Sequence, residues 1–113
     1  MIISKPEKVE PIIIDDGKIE KRILIGSKDG AKNFVMRLFK LKPGANTPYH
    51  THDWEHEIFV LKGKIQVVSK DNKTDVTAGT FIFVKPNEEH QFVNVGNEDA
   101  EFICVIPYIE GNE

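Results

Sequence analysis

The stretch His50-Thr51-His52-Asp53-Trp54-Glu55-His56-Glu57-Ile58-Phe59-Val60-Leu61-Lys62-Gly63 decides the fold, because two patterns overlap in it. From His56 onward, His56, Ile58 and Val60 alternate with Glu57, Phe59 and Leu61, the period of two that belongs to a β-strand. Upstream, His50, His52 and His56 have the same parity, so on an extended strand their imidazoles project toward one side. The chain has four histidines, and the one outside this stretch is His90.

The strand signal continues on both sides. Strand-like runs cover Glu10 to Ile14, Glu20 to Ile25, Asn33 to Lys42, Glu55 to Leu61, Lys64 to Ser69, Thr80 to Val84, His90 to Val95 and Ala100 to Ile106. Between them lie turn-forming clusters such as Asp15-Asp16-Gly17, Lys42-Pro43-Gly44, Lys70-Asp71-Asn72-Lys73 and Gly96-Asn97-Glu98-Asp99. No convincing helix exceeds two turns. Short strands at near-regular spacing predict an all-β sandwich or barrel. In the third run Phe34, Met36 and Leu38 share one face, while Val35, Arg37, Phe39 and Leu41 share the other. Both faces of the strand from His56 are largely apolar, which predicts cover on both sides. For a chain this small the second cover is expected to be another copy, a homodimer.

Composition removes several function classes. The chain has 113 residues, 40% hydrophobic and 29% charged, which suits one globular domain. A net charge of −3, with acids and bases scattered, offers no basic stripe to nucleic acid or to an anionic membrane. The longest apolar run, Phe102 to Ile106, is far short of the roughly 20 residues of a membrane span. Met1 to Glu7 lack a signal-peptide core, and the single cysteine forms no internal disulfide, so a cytoplasmic protein is expected.

An isolated His-x-His is commonly a surface accident. Here every histidine takes part. If the shared side is a barrel interior, His50, His52 and His56 converge and His90 completes a pocket. Neutral imidazole is a good ligand for zinc, copper, iron or nickel, so a metal is the simplest reason to gather it there.

The flanking residues carry a further pattern. Gly44, His50-Thr51-His52, position 56 and Gly63 fall at the spacing of the first cupin motif. Gly79, the Lys85-Pro86-Asn87 turn, His90 and Asn94 fall at that of the second. The chain therefore resembles the small single-domain cupins. The resemblance implies a double-stranded β-helix, or jelly-roll barrel, forming one domain over residues 1–113, with its core at about 33–107 and N-terminal strands at about 9–25. Two departures stand out. Lys85 occupies the usual proline position and Asn87 the usual glycine, although asparagine tolerates the positive φ such a turn needs. Position 56, normally glutamate, is His56, which makes the chain look like the four-histidine subgroup. That subgroup implies one divalent metal per chain on His50, His52, His56 and His90, with manganese first and iron, nickel, copper or zinc as alternatives. Glu55 and Glu57 are the acidic alternatives to His56, and both have the wrong strand parity relative to His52.

Four neutral imidazoles leave the charge of a divalent ion uncompensated, favouring anionic or oxygen-donor ligands. An octahedral ion would keep two open positions, as catalytic rather than closed structural sites do. Three functions are compatible with this: a metal-dependent oxygenase acting on a small organic substrate, a metal-dependent isomerase or lyase, and a non-enzymatic small-ligand or metal-binding module. Cys104 and Arg37 are the further catalytic candidates. Cys104 is expected mainly as a buried core residue, or as an oxidisable thiol near the metal if its face points inward. Arg37 is expected mainly in an edge or interface salt bridge, or as a partner for an anionic substrate. Trp54, Phe92 and Phe83 are expected to line or close the barrel, and Asn94 to support a turn. There is no Gly-x-Ser-x-Gly elbow, phosphate-binding loop or paired-cysteine zinc motif.

Overall fold

Alternation along the chain becomes two facing layers. The computed structural model describes residues 1–113 and contains nine strands: β1 (Ile12–Ile14), β2 (Ile19–Ile25), β3 (Phe34–Leu41), β4 (His56–Lys62), β5 (Lys64–Val68), β6 (Lys73–Thr77), β7 (Phe81–Val84), β8 (Gln91–Asn94) and β9 (Ala100–Pro107). Six form a sheet in the order β1-β2-β3-β9-β4-β7, and three form a second in the order β6-β5-β8. The only helical pieces are single 3₁₀ turns at Pro6–Lys8 and Ser27–Asp29. The all-β barrel expected from the sequence is the fold observed.

Register explains what lies inside. In β9, Ala100, Phe102, Cys104 and Ile106 are buried, while the residues between them are half-exposed. Across the β3–β9 pairing Arg37 stands opposite Cys104 and Phe39 opposite Phe102, so these four side chains share the inner face. In β4, His56, Ile58 and Val60 are buried and Glu57, Phe59 and Leu61 exposed. Ile65 of β5 and Phe92 of β8 meet them from the second sheet, filling a core between the layers.

Two local findings differ from the sequence expectations. Residues 73–77, where the sequence offers only the end of a turn and no strand signal, form β6, which pairs with β5 from Lys64↔Thr77 to Val68↔Lys73. As an edge strand exposed at four of its five positions, it carries no apolar alternation to betray it. The histidine stretch is not one continuous strand: His50 bridges His90, residues 51–55 are irregular, and β4 begins at His56. On the outer face of β4, Phe59 and Leu61 are about half exposed in the single chain.

Candidate metal centre

Backbone pairing brings the histidines together. The segment from Gly44 to His50 runs antiparallel to β8. Asn94 N–H donates to the Ala45 carbonyl at 2.9 Å, Thr47 N–H to that of Phe92 at 2.9 Å, and His90 N–H to that of His50 at 3.0 Å. Beyond it, Asn87, at φ 65°, donates its N–H to the His52 carbonyl at 2.6 Å. The asparagine in place of glycine therefore keeps the turn and ties it to the His52 loop.

The imidazole ring centroids of His50 and His52 lie 4.4 Å apart, those of His50 and His90 4.8 Å apart. One nitrogen from each of His50, His52 and His90 lies within 4.8 Å of the others, a spacing one ion can draw together. His56 adjoins this trio, its ring 4.7 Å from His90 and 5.2 Å from His52. Its Nδ1 is buried with no hydrogen-bond partner. An orphaned imidazole nitrogen beside three others suits a metal as its missing partner.

Neighbours orient the rings. A carbonyl only accepts, so the 2.8 Å contact between His90 Nδ1 and the Glu88 carbonyl puts the proton on Nδ1 and leaves Nε2 its lone pair. Trp54 stacks on His52 with centroids 4.4 Å apart and planes 14° from parallel. Burial, then the neighbouring imidazoles and Arg37, hold His50 down at about 4 and His56 at about 3. Burial likewise lowers His52, with His90 and Arg37 adding to it. His50, His52 and His56 are therefore neutral at pH 7, the form that binds metal.

The rings open onto a cavity of about 110 Å³. Arg37 and Cys104 share its wall with the four histidines, and Phe39, Phe92 and Phe102 supply its apolar side. Phe39 and Phe102 were missed as lining residues; their parity with Arg37 and Cys104 was visible, but the pairing of β3 with β9 was not. Glu55 and Glu57 face away, beside a separate surface depression with Phe34 and Pro107. Because residues 51–55 are irregular, strand parity does not carry across them, and it is their position outside the cavity that separates Glu55 and Glu57 from the histidines.

Other sequence expectations divide. Cys104 is buried and borders the cavity; burial raises its thiol pKa and Arg37 only partly offsets this, so it stays protonated at pH 7. Arg37 forms none of the side-chain salt bridges within the chain, because its strand parity turns it inward beside Cys104 rather than out to an edge, and its Nη1 donates to the main-chain oxygen of Glu113 at 3.2 Å. Phe83 does not line the barrel either; opposite exposed Glu57, it is 50% exposed on the outer face. Phe92 does line it. Asn94 is fully buried and braces the turn that follows it, donating to the Leu41 and Glu98 carbonyls at 2.9 and 2.8 Å and accepting from Gly96 N–H at 2.9 Å.

Known proteins share this architecture. A family model described as Cupin domain matches residues 37–106. An oxalate-binding protein of Thermotoga maritima is 37% identical over 107 residues, covering 89% of this chain and 85% of that protein. The structure of the polyketide cyclase RemF from Streptomyces resistomycificus matches with a TM-score of 0.90 and 32% identity, covering 99% of this chain and 82% of that one. A predicted oxalate decarboxylase from Thermotoga maritima matches with a TM-score of 0.84 and 26% identity, over 96% of this chain and 100% of that one. A match running through the histidine strand, the Asn87 turn and the strands between them, on the same two-layer barrel, makes this chain a member of the cupin family.

Proposed function

We propose that His50, His52, His56 and His90 hold one divalent metal ion, and that the protein binds and activates a small oxygen-donor organic ligand there. The observation that carries this reading is the buried, unpartnered Nδ1 of His56 beside three converging imidazoles. The chemistry of the donor set agrees, since an all-imidazole site suits a transition metal and manganese is the ion its subgroup resemblance favours. When bound, the ion would act as a Lewis acid toward carbonyl or carboxylate oxygen. The names of two relatives, one binding oxalate and one a polyketide cyclase, fit ligands rich in such oxygens.

The residues themselves have definable roles. Phe39, Phe92 and Phe102 exclude water from one side of the cavity, which strengthens the electrostatic interactions inside it. Trp54 and the Glu88 carbonyl fix the His52 and His90 rings. A metal-dependent oxygenase would use the same ligands, and oxygen uptake by the manganese, iron and copper forms in the presence of a bound acid separates that reading from simple binding or non-redox isomerase or lyase chemistry. The exposed aromatic face of β4 and β7 is proposed to be the contact between two copies in a homodimer.

Elemental analysis of protein made without a histidine tag tests the metal centre. The expected result is close to one metal ion per chain, with His56→Ala holding far less. A metal content unchanged in His56→Ala would remove His56 from the ligand set, and its absence from the parent protein would end the reading.

A further inference from the structure

The four histidines do not account for Lys85, which stands where proline would be expected. It opens the turn Lys85-Pro86-Asn87-Glu88, between β7 and His90. Glu88 N–H donates to the Lys85 carbonyl at 3.2 Å. With Pro86 in the second place and Asn87 in the third at φ 65°, this is the pattern of a type II turn.

A side chain closes the same turn from the other direction. Lys85 N–H donates to Oε1 of the Glu88 carboxylate at 3.1 Å. Proline at position 85 would have no N–H and could make no such bond. Lys85 and Glu88 therefore belong together, one supplying the donor and the other a charged acceptor.

This turn supports two of the four rings. The Glu88 carbonyl meets His90 Nδ1 at 2.8 Å, and Asn87 N–H donates to the His52 carbonyl at 2.6 Å. A single peptide unit separates the two contacts, so a loosened turn disturbs both together. If the carbonyl drifts from His90 Nδ1, the ring proton is free to move to Nε2, and the lone pair a metal needs there is lost.

We propose that Glu88 is a positioning residue for the metal centre: its carboxylate, by accepting from Lys85 N–H, sets the turn that orients His90 and anchors the His52 loop. This deepens the metal-centre reading and rests on it for the effect on metal affinity, though not for the effect on the His90 ring. Exposure bounds the magnitude. Lys85 and Glu88 are both exposed, so water competes for the N–H and the bond is modest. Loss of a ligand's outer partner ordinarily weakens metal binding about ten- to a hundredfold, and the lower end is expected here.

The test compares the parent with Lys85→Pro, Lys85→Ala, Glu88→Ala, Glu88→Gln and the double variant Lys85→Pro/Glu88→Ala. Titration of metal-free protein with manganese(II) and with zinc gives affinities, and nitrogen-15 NMR of the metal-free His90 ring gives its tautomer. Lys85→Pro and Glu88→Ala should each weaken binding about tenfold, and the double variant no further, because both remove the same bond. Lys85→Ala keeps the N–H and Glu88→Gln keeps an acceptor, so each should bind metal more tightly than Lys85→Pro. The His90 proton, on Nδ1 in the parent, should become shared between both nitrogens in Lys85→Pro and Glu88→Ala. A turn serving stability alone would lower the thermal midpoint and leave affinity and tautomer as in the parent, which would overturn the proposal. Additive losses in the double variant would overturn it too. If the parent binds neither ion, the metal-centre reading fails separately and the tautomer decides. A His90 proton released from Nδ1 by both substitutions would then sustain the proposal, and one that stays would overturn it.

Discussion

At the scale of single residues, the centre is governed by burial of polar nitrogen. His56 is only 5% exposed, and its folded value of about 3, like that of His50 at about 4, lies well below the roughly 6.5 of free imidazole. The unfolded chain therefore binds more protons than the folded one as acidity increases below about pH 6.5. The stability these residues contribute is complete above that pH and is lost as pH falls toward their folded values. The metal-free protein is expected to show a thermal midpoint that declines from pH 7 to pH 5, above the range where carboxylates titrate. His56→Gln should flatten that slope. A midpoint constant or rising over this interval would contradict the placement of the two rings.

At the scale of elements, turns decide whether the strands carrying the histidines meet in register. Gly63 joins β4 to β5 at φ 86°, and a Cβ there would lie 2.8 Å from the Ala100 Cα. Gly44, where the segment leading to His50 begins, has φ 81° but open space around it. Gly44→Ala is expected to cost about 1 kcal/mol through backbone strain alone. Gly63→Ala should cost about 2–4 kcal/mol, since the backbone of β9 must also move. Urea unfolding midpoints compare the two directly; equal losses would mean that the approach of Gly63 to β9 is not a constraint. The same scale explains why β6 escaped recognition. Lys73-Thr74-Asp75-Val76-Thr77 is solvated on nearly every side, so burial left no imprint on its sequence.

At the scale of the whole molecule, the outer face of the larger sheet is unusually apolar for a surface. Phe59 stands directly opposite Phe81 across β4 and β7, and Phe81 is 81% exposed in the single chain, with Phe83 two residues further along. Aromatic clusters of this kind mark contact surfaces. Light scattering at micromolar concentration is expected to give twice the 12.9 kDa mass of one chain. Phe81→Asp should shift the protein toward monomer without altering its β-rich circular dichroism. A parent protein that runs as a monomer throughout that range would show that this face does not hold two copies together.

The sequence by itself determined that this chain is an all-β barrel with its histidines gathered, because period-two alternation and the motif spacing from Gly44 to Gly63 are local and survive without knowledge of pairing. It also favoured His56 over Glu55 and Glu57, but by a parity that assumed one strand through residues 50–56, which the structure does not contain. Which strand lies beside which was decided only by the tertiary structure. Pairing of β3 with β9 turned Arg37 toward Cys104 and the imidazoles, pairing of β4 with β7 put Phe83 outside, and the bridge of His50 to His90 replaced the continuous strand expected through residues 50–56. The physical reason is that backbone hydrogen bonds between strands are the same for every residue. Register is selected by the packing of the whole core, and no short window of sequence contains that information.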